Sequence, residues 1–140
     1  MTRARILLAG IAQFAIAGIA ISITACSGAP SAQEADGITL MAASTPPDAV
    51  MEALITGTLT TTESGCFAVA SGDVTYPLQF PYGTVLSDDG RTVKVPGHQP
   101  LEVGDEIRGG GGYVHLDTVP AGCEAQNEYD EYAVWQTLDD

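Results

Sequence analysis

Apolar side chains occupy most positions from Ile6 to Ile23, broken only by Gln13, Ser22 and two glycines. Arg3 and Arg5 precede this run, and small residues follow it. A basic start, an apolar stretch and a small-residue cut site describe a secretory signal, although the run is also long enough for a membrane-spanning helix. The pattern then dissolves. Residues 27–49 are mostly Ser, Ala, Gly and Pro with no sustained period, and such a stretch buries too little apolar surface to offset its ordering entropy. A flexible tether is expected there, with Ile38, Leu40 and Met41 as a short apolar exception able to dock locally. Residues 47–54 have the composition of one helical turn capped by Asp48.

From about residue 50 the texture is that of strands. Ile55–Thr62 is β-branched, and Glu63-Ser64-Gly65 breaks it before Cys66–Ala70. Val74, Tyr76, Leu78 and Phe80 alternate with Thr75, Pro77, Gln79 and Pro81, the period of 2 that gives a strand one apolar face. Pro77 has no amide to donate, which predicts an edge strand or a bulge at that point. Asp88-Asp89-Gly90 predicts a hairpin turn returning through Thr92–Pro96. Leu101–Gly109 enters another strand, resumed at Tyr113–Leu116 after four glycines, and Tyr132–Thr137 is the last. Strands this short, separated by turn signals every 8–12 residues, predict a small barrel or sandwich.

The residues Ile23-Thr24-Ala25-Cys26 sharpen the first segment. They resemble the bacterial lipobox, in which diacylglycerol is attached to the Cys thiol and the chain is cut just before it. The resemblance implies a signal peptide over 1–25, a lipid-anchored linker over 26–49 and a β domain over 50–140. It also implies a position at the outer face of the cytoplasmic membrane. Cleavage would remove both N-terminal arginines and leave 115 residues with all 18 acidic side chains and three basic ones, so the net charge moves from −13 to about −15. That sign excludes a nucleic-acid binder, which needs basic surface to displace counterions from phosphate.

Leu101-Glu-Val-Gly-Asp-Glu-Ile-Arg-Gly109 resembles a segment of five- or six-stranded barrels of the OB or SH3-like kind, where Gly-Asp turns into a strand and the later Gly lets the sheet coil. The stretch from Phe80 to Cys123 is similar to small lipoproteins of actinobacteria, which implies a location and no activity. With Cys26 lipidated, Cys66 and Cys123 remain. Two thiols in an oxidising compartment, in a domain near 90 residues, read as one disulfide, while a metal site or reactive thiols would favour a Cys-x-x-Cys pair that is absent.

Candidate chemistry is sparse. His98 follows a Pro-Gly turn, and His115 stands in a strand beside Asp117; the three match no metal spacing, and packed or solvated histidines are expected. No Gly-x-Ser-x-Gly or His-Glu-x-x-His occurs, and nothing singles out Ser64, Ser71 or Ser87 as a nucleophile. Gly109–Gly112 lacks the Lys-Ser/Thr of a phosphate loop, so it reads as a strand bending where no side chain fits. The acidic groups Glu124, Glu128, Asp130, Glu131 and Asp88-Asp89 lack Ca²⁺-loop spacing and read as solvated surface. Tyr82, Tyr113 and Trp135 are a possible ligand face.

The expectation is therefore a mainly β protein, a small OB-like or SH3-like barrel with one disulfide. It would be a non-catalytic binding or accessory module of the cell envelope without a cofactor, partnered by the membrane and by protein, peptide or glycan. A small hydrolase or metal-dependent enzyme built from scattered residues, or a structural subunit of an envelope complex, is the alternative.

Overall fold

The computed structural model describes residues 28–138. The predicted signal peptide and Cys26 lie outside them. Nine strands run β1 (Ser31–Ala35), β2 (Ile38–Ala42), β3 (Ala53–Thr61), β4 (Phe67–Ser71), β5 (Val74–Phe80), β6 (Val85–Leu86), β7 (Val93–Lys94), β8 (Glu106–Val114) and β9 (Tyr132–Leu138). No helix occurs among the described residues.

Five strands close on themselves. β3 pairs antiparallel with β4 and β8, β4 with β5, and β8 with β9, and the ring shuts where β5 and β9 run parallel at Leu78↔Ala133 and Gln79↔Val134. In barrel order the first strand neighbours the second and fourth, and the third neighbours the fifth, which is an OB-like arrangement. The inner face packs Ile55, Leu59, Phe67, Val69, Leu78, Phe80, Ile107 and Trp135 into one core. Phe80 is its hub, set edge-on to Phe67 at 6.0 Å and tilted on Trp135 at 6.1 Å between ring centroids.

The four glycines lie inside β8 as expected, and they set how close β9 can come. A Cβ on Gly109 would collide with the Thr137 carbonyl and the Trp135 indole nitrogen, and one on Gly111 with the Val134 carbonyl. The register slips between them, from Gly110↔Thr137 to Gly111↔Trp135, so Gln136 is an extra residue on β9. A bulge of this kind re-aims the side chain it carries.

Two expectations are corrected here. Residues 31–42 belong to the folded domain: β1 and β2 form an antiparallel hairpin, and β2 joins β5 in parallel at Met41↔Gln79 and Ala42↔Phe80. Leu40, Met41 and Ala42 are buried. The hairpin turns on Asp36-Gly37, both with positive φ (52° and 78°), the backbone that matches strand twist in a two-residue turn. Gln33 fastens β1 to β6, its amide donating to the Thr84 carbonyl just before that strand and its Oε1 accepting from the Leu86 amide within it, both at 2.8 Å. The tether expected over 26–49 therefore ends near Pro30. Residues 47–54 form no helix: the chain bends at Asp48-Ala49 and enters β3 at Ala53, and the Gln136 side chain holds it between, accepting from the Met51 amide at 2.7 Å and donating to the Ala49 carbonyl at 3.3 Å.

β5 is one-sided over Val74–Pro77, which pair with β4 alone, and gains β9 and β2 as partners only from Leu78 onward. Pro77 faces Ala68 at the last pair of the β4 ladder, and the β9 ladder begins one residue later. The missing donor thus falls where β5 changes partners. The β6–β7 hairpin turns on Asp88-Asp89-Gly90 as expected, with Gly90 at φ 70°. The Ser87 hydroxyl and then the Arg91 amide, both donating to Asp89, hold its carboxyl below the usual range.

Candidate functional site

Two clefts open at opposite ends of β5. Six rises of about 3.3 Å separate Val74 from Phe80, so the ends lie roughly 20 Å apart.

The first cleft, about 440 Å³, lies over the start of β5 between the β3–β4 turn and the long β8–β9 loop. Thr61, Thr62 and Glu63 form one wall, Asp73, Val74, Thr75 and Pro77 the floor, and Gln126, Asn127 and Glu128 the other wall. Its lining holds three carboxylates, with hydroxyls and amides between them, and no Lys, Arg or His. Both walls are fixed. Cys66, at the end of the β3–β4 turn, is bonded to Cys123 in the β8–β9 loop, the expected disulfide. Both cysteines are fully buried against Met41 and Tyr132. Asn127 shapes the loop further. Its amide nitrogen donates to the carbonyls of Thr75 (3.3 Å) and Glu131 (2.8 Å), and its oxygen accepts from the amides of Tyr129 and Glu131. The Tyr132 hydroxyl accepts from the Ala125 amide at 2.8 Å.

Acidic potential spreads from this end. Burial, then Tyr113, Glu131 and Glu128, raise the Tyr76 phenol above its ordinary value, and the Glu128 carboxylate as hydrogen-bond partner and charge raises Tyr129. Because both folded-state values lie above the unfolded one near 10, folding keeps its full contribution from these phenols below pH 10 and loses it as pH rises further. Guanidinium unfolding should therefore shift to lower midpoints between pH 9 and pH 11, and the shift should shrink in Tyr76→Phe/Tyr129→Phe.

The second cleft, about 460 Å³, lies past the end of β5. Tyr82, Pro46, Pro47, Gln79, Trp135 and Gln136 line it with Gly28, and Asp48 is the only carboxylate among its lining residues. Tyr82 is half exposed, whereas Trp135 is 1% exposed and spends its indole N–H on the Thr137 carbonyl at 2.7 Å. Tyr113 is absent from this cleft; its ring lies on Tyr76 at 4.6 Å, toward the acidic end. Tyr82, Tyr113 and Trp135 therefore do not form one ligand face. Alternation along β9 fails because Tyr132, Ala133, Val134 and Trp135 are all buried, so periodicity carries no sign of which way Trp135 points.

The histidines do not meet. His98 sets its ring edge-on to Trp135 at 6.0 Å and its Nδ1–H donates to the Gln99 carbonyl, while the His115 Nδ1–H donates to the Asp130 carbonyl at 2.7 Å. Among the described residues, no three His, Cys, Asp or Glu side chains are placed to hold a metal ion. Comparison of the chain with protein-family models, with curated proteins and with solved structures finds no match.

Proposed function

We propose that this chain is a lipid-anchored envelope protein whose barrel is a binding module, with the acidic cleft over the start of β5 as its ligand site. The carrying observation is that cleft's lining: Glu63, Asp73 and Glu128 around hydroxyls and amides, on walls tied by a buried disulfide. A rigid concave surface with convergent polar groups suits recognition, and an unopposed negative potential selects a cationic partner. A Lys- or Arg-bearing peptide or protein segment fits both properties. The carboxylates exclude phosphate-bearing ligands from the same surface.

Calorimetric titration with hexalysine tests this reading. Glu63→Gln/Asp73→Asn/Glu128→Gln should weaken binding by about five- to tenfold, since two or three partly exposed ion pairs are worth roughly 0.5 kcal/mol each. The control Glu34→Gln/Asp48→Asn/Asp88→Asn removes equal charge elsewhere and should stay within a factor of about 3. Equal losses in the two variants would leave only a diffuse acidic surface and overturn the assignment. The anchor has its own test: Cys26→Ala should move the protein from the membrane to the soluble fraction and abolish lipid labelling, and continued labelling would refute it.

A further inference from the structure

The anchoring point and the second cleft are close together in the chain. Ser31 already stands in β1 opposite Ala42, and the Ala29 carbonyl accepts a hydrogen bond from the Ser44 hydroxyl at 2.9 Å. Gly28 is itself part of the cleft that Tyr82, Pro46 and Pro47 line. Cys26 precedes Gly28 by two positions. Three residues of extended chain reach at most about 11 Å, so the fastening at Ala29 keeps this end of the barrel within that distance of residue 26. A tether of 24 residues would have left the domain free to tumble above a membrane, whereas a spacer of three or four does not.

The surface around that point differs from the rest of an acidic molecule. Tyr82 is 50% exposed. Val50, equally exposed, lies between Ala49 and Met51, which the cleft residue Gln136 holds from either side. Pro46 and Pro47 complete an apolar rim beside the single carboxylate of Asp48. Glu63, Asp73 and Glu128 line the far end of β5. A bilayer with an anionic surface repels that far end and accepts the near one, and tyrosine favours the lipid–water interface, where its ring is buried and its hydroxyl stays wet.

Resting on the lipid-anchor reading of Cys26, we propose that the Tyr82–Pro46–Pro47 cleft is the membrane-facing surface of the barrel, seated on the lipid bilayer with β5 leading away from it. The acidic cleft, over the start of β5, then faces away from the bilayer and is presented to partners outside the membrane.

Fluorescence quenching tests the orientation. The full-length, membrane-extracted protein is reconstituted in phosphatidylcholine vesicles containing a nitroxide-labelled phosphatidylcholine, as Tyr82→Trp and separately as Tyr129→Trp. Both sites are half exposed, so each accommodates an indole, and Trp135 contributes the same background to both. Tyr82→Trp should be quenched at least about twofold more strongly than Tyr129→Trp, as an interfacial aromatic should be against one held clear of the bilayer. Intact-mass measurement of the same samples separates the two readings. Lipid on Cys26 with equal quenching of both reporters, or stronger quenching at Tyr129, overturns the orientation alone. An unlipidated Cys26 overturns the anchor reading and the orientation together.

Discussion

Gly111→Ala should unfold the barrel or cost it at least about 3 kcal/mol, the upper range for a forced overpacking. The methyl group would enter the Val134 carbonyl of β9, and the atom on its other side is Ile55 Cγ1 in the core at 3.0 Å. Neither neighbour is the free end of a flexible side chain, so relief requires β8 and β9 to separate and give up part of their ladder. Gly109→Ala should be comparably severe, because its methyl would meet the Thr137 carbonyl and the Trp135 indole that donates to it. Gly112→Ala should cost far less. Its methyl would meet the Met51 side chain, which has rotamers to yield into. Gly72→Asn, in an open turn at φ 61°, should be close to neutral, since Asn tolerates the left-handed region. Denaturant midpoints for the four variants test the grading. Equal small losses at Gly111 and Gly112 would mean that the strands are not held at this separation.

These glycines also show what a single chain discloses about its fold. Their run could be read as a strand too crowded for side chains because strand-like residues flank it and no helix or Lys follows. The alternation over Val74–Phe80 was equally plain, and Leu78 and Phe80 are buried in the core as it predicts. The β1–β2 hairpin was hidden because Ser31-Ala-Gln-Glu-Ala35 has the composition of a linker: β1 is held by backbone pairing and by the Gln33 amide more than by apolar burial. Asp36-Gly37 was its one local signal. The acidic cleft was illegible for a different reason. Asn127 reaches the carbonyl of Thr75, 52 positions away, and no periodicity within either segment reports a contact across that separation. Acidic residues that look like scattered surface charge in the chain become the lining of one concavity only after the β8–β9 loop folds back.

That folding back depends on the disulfide, and replacing both cysteines, Cys66→Ala/Cys123→Ala, should cost about 4 kcal/mol, the loop-entropy value for a closed segment of 57 positions. A domain of this size has roughly 5–15 kcal/mol in total, so the loss takes between about a quarter and four fifths of it. The loss should exceed what the two buried side chains contribute by packing, because the bond crosses from the start of β4 to a loop of long reach: without it, Pro120–Glu131 is held by hydrogen bonds from Ala125 to Tyr132 and from Asn127 to Thr75 and by the small cluster of Met41, Tyr132, Leu116 and Val119. Urea unfolding of the double variant beside the oxidised protein measures the difference. A second readout separates stability from site architecture. At a temperature where the variant is still folded by circular dichroism, hexalysine affinity should fall as far as in the three-carboxylate variant, since Gln126, Asn127 and Glu128 form the cleft wall that the bond anchors. Retained affinity in a folded, disulfide-free protein would show that Asn127 alone suffices to place that wall, and would confine the disulfide to a purely stabilising role.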